Sequence, residues 1–287
     1  PIKVQPDKQL KLYSYQKEAV EKLKRIRTES VGTSDTKPGQ MLAFMQGIPG
    51  AGKTTIARKL ADALGFAAVF SGTTGTAAAQ LRADTINKLL GLGQNYPNFT
   101  ETELRFKKKQ AILKAFENIN LLIIDEVSML TPVTLSKINF YLQTAFENDY
   151  VFGGISVLLI GDMFQFPPIE QISNPALYQA AVQLAMGNKM PNRAYQTGAK
   201  IFTKFRLVIL KGQARATPAF NKWLGKLRNL NVEYPVTDAW LDELKILKTE
   251  DFTNGKIDWN STTMVVSGNA ERYYSVSYTH LRAHETR

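Results

Sequence analysis

Apolar residues fall along this chain in short runs divided by polar, glycine-bearing turns. Met41-Leu42-Ala43-Phe44-Met45, Phe66-Ala67-Ala68-Val69-Phe70, Leu121-Leu122-Ile123-Ile124 and Ile155 to Ile160 are almost continuously apolar. Runs of this length suit strands buried on both faces. Between them the spacing turns helical. Tyr13 to Ile26 sets Ala19, Leu23 and Ile26 on one side and lysines on the other, and Thr55 to Leu64 aligns Ile56, Leu60 and Leu64. Pro132 to Phe146 predicts another helix, Asn174 to Ala199 a mixture of helix and loop, and Phe205 to Leu210 a strand. Further on, Pro218 to Leu230 reads as a helix with Phe220, Leu224 and Leu227 inward, Asp238 to Leu247 as a short helix, and Thr263 to Val266 as a strand. Strands alternating with helices predict an α/β chain with a parallel sheet flanked by helices.

The first apolar run leads into Gly47-Ile48-Pro49-Gly50-Ala51-Gly52-Lys53-Thr54, with Thr55 next. A strand that feeds a glycine-rich loop opening a helix is a phosphate-binding arrangement. Glycine lets the backbone come close to the phosphates, so that several N–H groups converge on one anion. In this reading Lys53 reaches the β- and γ-phosphates of ATP, and the Thr54 hydroxyl ligates Mg²⁺. The competing explanation is a glycine-rich turn with an exposed lysine, and the flanking strand and helix argue against it.

Polar groups also follow the other strands, at the end where ligands bind in open α/β sheets. Asp125 and Glu126 follow Leu121–Ile124. In nucleotide chemistry Asp125 holds Mg²⁺ and Glu126 polarises the attacking water. Gly161-Asp162-Met163-Phe164-Gln165-Phe166-Pro167-Pro168 follows the fourth run, and Gln165 is placed to hydrogen-bond a γ-phosphate or the attacking water. After Phe70 comes Ser71-Gly72-Thr73-Thr74-Gly75-Thr76-Ala77-Ala78. This loop is either a tight strand-to-helix turn or a site for backbone-phosphate contacts. Residues 91–118 interrupt the alternation with a helix carrying Arg105, Lys107, Lys108 and Lys109. That basic excursion either touches nucleic acid or is a solvated helix face. Arg215, just ahead of a helix, is either a surface arginine or an arginine finger.

Composition narrows the chemistry. The 287 residues are 44% apolar, enough for a packed core, and carry 36 Lys and Arg against 25 Asp and Glu. The net charge of +11 favours a polyanionic partner, nucleic acid first. With no cysteine, disulfides, thiol nucleophiles and Cys-ligated zinc are excluded, and both histidines, His280 and His284, lie in the last eight residues. Chemistry in the body of the chain therefore falls to carboxylates, Lys, Arg, hydroxyls and a borrowed metal. No stretch reads as a membrane span or signal peptide, so the expected setting is intracellular, in a prokaryotic or virus-infected cytoplasm or in a nucleus or mitochondrion. The chain starts at Pro1 rather than Met, and the expectation is a piece of a longer protein.

Taken together, the motifs resemble the superfamily-one DNA helicases, nearest the Pif-one and RecD-like branch. The resemblance runs from about Leu12 to Arg272. Gln16 matches the family's adenine-contacting glutamine, and Gly47 to Thr54 match motif I, which makes Gly47, Gly50, Ala51, Gly52, Lys53, Thr54 and Thr55 the expected nucleotide-binding residues. Gly72 to Leu81 resemble motif Ia, which implies DNA contacts by Thr73, Thr74 and Gly75. Asp125 to Met129 match motif II, and Gly161, Asp162, Gln165, Pro167 and Pro168 match motif III; the motif III and Ia matches are the specific ones, because many P-loop enzymes share the other two. Leu210 and Arg215 resemble the start of motif IV, although Ala216 stands where the family usually has Gln; Asn87 likewise replaces a usual histidine.

The resemblance implies two RecA-like domains that sandwich ATP and step along single-stranded DNA or DNA junctions, five-prime to three-prime, as a monomer. The expected organisation is an N-terminal helix and connector over 1–40, a first motor domain over 41–204 and a partial second domain over 205–274. Residues 275–287 resemble a translated sequencing adapter and are expected to be non-native. Catalysis falls to Lys53, Glu126, Gln165 and Arg215, with metal held by Thr54 and Asp125. Family motifs V and VI have no counterpart, so a module that binds nucleotide without hydrolysing it is a second reading. A P-loop kinase of a small molecule is a third, against which the motif III residues and the positive charge argue.

Overall fold

The computed structural model describes residues 11–92, 106–168 and 176–213, with residues 217, 222 and 225. Contacts divide the chain into two units, Pro1–Leu224 and Gly225–Arg287. The elements expected beyond residue 213, Arg215 among them, lie outside the described residues, and the architecture below is that of the first unit.

Six strands form one wholly parallel sheet. They are β1 (Leu42–Gln46), β2 (Ala68–Gly72), β3 (Asp84–Thr85), β4 (Leu121–Asp125), β5 (Ser156–Gly161) and β6 (Arg206–Ile209), in the order β3-β2-β4-β5-β1-β6. The apolar runs become the central strands for a simple reason. Successive side chains point to opposite faces, and both faces are covered. Leu122, Ile124, Val157, Leu159, Leu42 and Phe44 join the core on one face. Leu121, Ile123, Leu158, Ile160, Ala43 and Met45 join the core on the other.

Helices α1 (Ser14–Thr28) and α2 (Lys53–Leu64) cover the second of these faces through Ala19, Leu23, Ile26, Ile56 and Leu60. The amphipathic stretch predicted near the N-terminus is thus part of the sheet's own core layer. α3 (Gly75–Leu81) and α4 (Ile86–Leu90) follow β2 and β3. The remaining helices are α5 (Phe106–Ala115), α6 (Pro132–Phe146), α7 (Leu177–Ala185) and α8 (Arg193–Phe202). α6 begins where the sequence predicts. Thr131 caps it by accepting from the Thr134 N–H at 3.1 Å, and Pro132 sits in the first turn, where its missing donor is harmless. α8 packs so tightly on α6 that a Cβ on Gly198 would lie 1.8 Å from the Pro132 carbonyl oxygen.

Two expectations change. The strand expected to open a second domain is β6, which pairs in parallel with β1 through Ala43↔Arg206 to Gln46↔Ile209. Residues 206–209 therefore belong to the first sheet. A four-residue strand carries no mark of which sheet it will join. The basic excursion, expected as a nucleic-acid contact or a solvated helix face, packs in its described part against the core. Ile112 and Phe116 of the α5 segment enter the main core, Lys108 Nζ donates to Tyr141 Oη at 2.9 Å, and Lys109 pairs with Glu147. Of the three lysines, Lys107 is the exposed one.

Candidate nucleotide site

The loop after β1 is shaped by backbone rather than by side chains. Gly47 N–H bonds back to the Gly161 carbonyl of β5 at 3.1 Å. Gly50 and Gly52 adopt φ values of +81° and +79°, which any other residue reaches only under strain. At Gly52 a side chain would also collide with Gln16, whose Nε2 lies 2.3 Å from the Cβ position. The Gly52 carbonyl then accepts the Ile56 N–H at 3.0 Å and starts α2. Lys53 Nζ lies 2.8 Å from the Gly47 carbonyl and 3.1 Å from that of Ile48, so its ammonium is held over the loop. A cation over a glycine-rich loop at a helix N-terminus makes a cradle for an anion.

β4 delivers its carboxylates two strands away from β1. Asp125 accepts the Glu126 N–H at 2.8 Å, and its other oxygen lies 3.5 Å from Thr54 Oγ1. Burial pushes the Asp125 carboxyl above its usual range, while the Glu126 N–H, the Lys53 ammonium and the Thr54 hydroxyl pull it back. A desolvated carboxylate beside a hydroxyl offers two hard oxygens, and that set suits Mg²⁺, which takes one or two carboxylates and completes its shell with waters and phosphates. No trio of His, Asp or Glu stands together among the described residues, so this pair is the donor set on offer. Glu126 itself is left-handed, at φ 55° and ψ 46°.

Between β4 and β1 runs β5, and its exit loop is pinned from the β1 side. Gln46, the last residue of β1, donates from Nε2 to Asp162 Oδ1 at 2.8 Å and accepts the Met163 N–H at 3.0 Å. Gln165 reaches the same edge of the sheet, exposed, with its main-chain N–H on the Asp162 carbonyl. On the far side of β4, the loop after β2 bonds to the carboxylate pair. Thr73 N–H meets the Asp125 carbonyl at 3.1 Å, Thr73 Oγ1 donates to the Glu126 carbonyl at 2.8 Å, and Thr74 Oγ1 donates to Glu126 Oε2 at 2.6 Å. Gly75 is exposed.

Gln16 is buried beneath the phosphate loop. Its Oε1 accepts the Tyr13 N–H at 3.0 Å, and its Nε2 donates to the Ala51 carbonyl at 3.1 Å. The structure adds residues that the sequence does not single out. Tyr15 Oη donates to the same Ala51 carbonyl at 3.1 Å, Gly212 lies against the Tyr15 ring, and Gln213 Nε2 donates to the Pro49 carbonyl at 2.7 Å. Gln46 belongs with them. Only Gln46 had a local signal, a polar residue closing an apolar strand. Contacts such as Gln213 to Pro49 join residues far apart in sequence, which no spacing rule reaches.

Known proteins share this arrangement. A family profile described as PIF1-like helicase matches residues 17–237. The ATP-dependent DNA helicase PIF1 of Saccharomyces cerevisiae is 29% identical over 136 residues, which is 46% of this chain and 16% of that protein. A crystal structure of the Pif1 helicase from Bacteroides matches with a TM-score of 0.65 at 25% identity, over 94% of this chain and 57% of that one. Another, of the same helicase in complex with ADP-AlF3 and ssDNA, matches with a TM-score of 0.58 at 26% identity, over 81% of this chain and 49% of that one. The chain thus spans about half the length of these solved relatives and far less of the yeast protein. The profile covers most of its residues, the parallel sheet is the same, and the glycine loop and carboxylate pair stand at its edge: the chain belongs to the PIF1-like helicase family.

Proposed function

We propose that this chain carries the nucleotide-hydrolysing core of an ATP-dependent DNA helicase and that it turns over ATP in response to single-stranded DNA. The observation that carries the reading is the meeting of Lys53, Thr54, Asp125 and Glu126 at one edge of the sheet, with Thr54 Oγ1 3.5 Å from Asp125. The loop amides and Lys53 hold the β- and γ-phosphates. Thr54 and Asp125 hold Mg²⁺, which when bound neutralises charge on the phosphates. Glu126 accepts a proton from the attacking water, and Gln165 orients that water or senses the γ-phosphate. Arg215, from outside the described residues, supplies the arginine finger that the family resemblance implies. The loop after β2 and Lys107 offer donors and charge to a strand's phosphates without reading bases. Five-prime to three-prime movement and action as a monomer are the family-based part of the proposal.

The test is ATP turnover by this chain with and without single-stranded DNA. Turnover that rises with the strand and vanishes in Lys53→Ala is the expected result. Equal turnover with and without the strand overturns the helicase reading. Transfer of the γ-phosphate to a small acceptor instead of water identifies a kinase.

A further inference from the structure

We propose that Thr74 is a positioning residue for Glu126, and that its single hydroxyl proton is the switch by which a phosphodiester strand on the loop after β2 releases the carboxylate for hydrolysis. The proposal deepens the reading above and rests on it.

The argument begins with what a threonine hydroxyl can do. It has one proton to donate and lone pairs to accept with. Both capacities are engaged. Thr74 Oγ1 accepts the Ala77 N–H at 3.2 Å, which caps α3, and gives its proton to Glu126 Oε2 at 2.6 Å. A phosphate oxygen is an acceptor only. A strand that takes a hydrogen bond from Thr74 must therefore take the proton now bonded to Glu126. The two bonds exclude each other.

The direction of the effect follows from the strand order. β4 lies between β2 and β5, and β1 lies beyond β5. The loop after β2 therefore stands on the side of Glu126 away from the phosphate loop. Its bond draws the carboxylate from the place where an attacking water would be activated. The hold extends to the main chain, because Thr73 Oγ1 donates to the Glu126 carbonyl at 2.8 Å while Glu126 sits in a left-handed conformation. The side chain and the peptide of this one residue are thus tied to one loop. Thr73 and Thr74 are half-buried and Gly75 and Thr76 are exposed, so a strand can reach the loop.

When the hydroxyl turns to a phosphate, Oε2 regains a lone pair. Water then attacks the γ-phosphorus, a P–O bond forms, the bond to the ADP oxygen breaks, and the water's proton passes to Glu126. Without the strand the same carboxylate is occupied and turnover is slow.

Steady-state ATP turnover, read with and without oligothymidylate, tests this in Thr74→Val, Thr74→Asp and Thr74→Ser. Val removes donor and cap together. Asp keeps an acceptor for the Ala77 N–H and, when ionised, repels Glu126 instead of donating to it; turnover read up to pH 9 keeps the two neighbouring carboxyls from sharing a proton, so Asp covers the case in which Val destabilises α3. Both are expected to raise strand-free turnover about fivefold or more and to bring the stimulated-to-basal ratio towards one. Ser, with donor and acceptor retained, restores the ratio. Turnover that falls equally with and without the strand would mean that Thr74 orients Glu126 productively, and it overturns the switch. An unchanged ratio in Val and Asp overturns it as well. These failures stay separate from failure of the helicase reading: wild-type turnover that ignores oligothymidylate overturns both, whereas a responsive wild type beside equally responsive variants overturns the switch alone.

Discussion

Two loops leave the same edge of the sheet and work by opposite means. The loop after β1 presents backbone. Its shape comes from glycines at positive φ, and its donors are peptide N–H groups and one lysine. The loop after β2 presents side chains. Its shape comes from Thr73 and Thr74, whose hydroxyls are already spent on Glu126. Backbone amides are fixed donors that stay in place whatever binds, whereas a hydroxyl rotates and gives its one proton to one acceptor at a time. On the reading proposed above, the first loop holds an anion and the second chooses between two.

The largest effects should fall on the groups that touch nucleotide. Lys53→Ala is expected to lower ATP turnover about 100-fold or more and to weaken nucleotide binding with it. Glu126→Gln should lower turnover by about 10²–10⁴-fold yet leave nucleotide binding in place. Parallel turnover and binding measurements on the two variants check this, and loss of binding in Glu126→Gln would erase the division between holding and choosing.

Glycine substitutions sharpen the contrast at the level of stability. Gly52→Ala forces a side chain into φ +79° and against Gln16, so a cost of about 1–3 kcal/mol and a fall in Tm of several degrees are expected. Gly75→Ala meets nothing within 4 Å and sits in a helical turn. It should gain about 0.5–1 kcal/mol, because alanine gives up less chain freedom on folding. Thermal melts of both variants decide the matter, and equal falls in Tm would mean that the second loop depends on glycine as much as the first.

The smallest effect on the site belongs to a control outside both loops. Lys137, buried on α6, has its ammonium pushed down to about 8 by burial, against 10.5 ordinarily. Below pH 8 the folded chain carries a buried charge that the unfolded chain exposes to water. Between about 8 and 10.5 the unfolded state binds the extra proton, so stability rises with pH there. Stability of the parent chain should therefore rise across that window, and Lys137→Met should remove the rise. Melts of both proteins from pH 7 to 10 test the sign, and site variants, which keep Lys137, should show the same rise as the parent chain.

Local chemistry made much of this protein readable from its residues. Leu121 to Ile124 reads as a buried strand, the glycine spacing before Lys53 suits a close approach of backbone to an anion, and Pro132 opens a helical stretch. These rest on neighbours within a few positions. Other features depend on partners brought close by the sheet alone. β6 reads like any short apolar run until it pairs with β1. The two-residue β3 and the five-residue α4 are too short for either period to declare itself. Lysines of the basic helix look solvated until Tyr141 and Glu147 of the α6 region meet them.

The same division runs through the site. Amino-acid order alone established the phosphate loop, the two carboxylates after an apolar strand and the α/β class, because each is written within one stretch of chain. Tertiary structure alone decided that Gln46 pins the loop after β5, that Gln213 reaches Pro49, and that Thr74 spends its proton on Glu126. Those contacts depend on which strands lie side by side, and strand order is settled by the burial of whole faces rather than by any single residue.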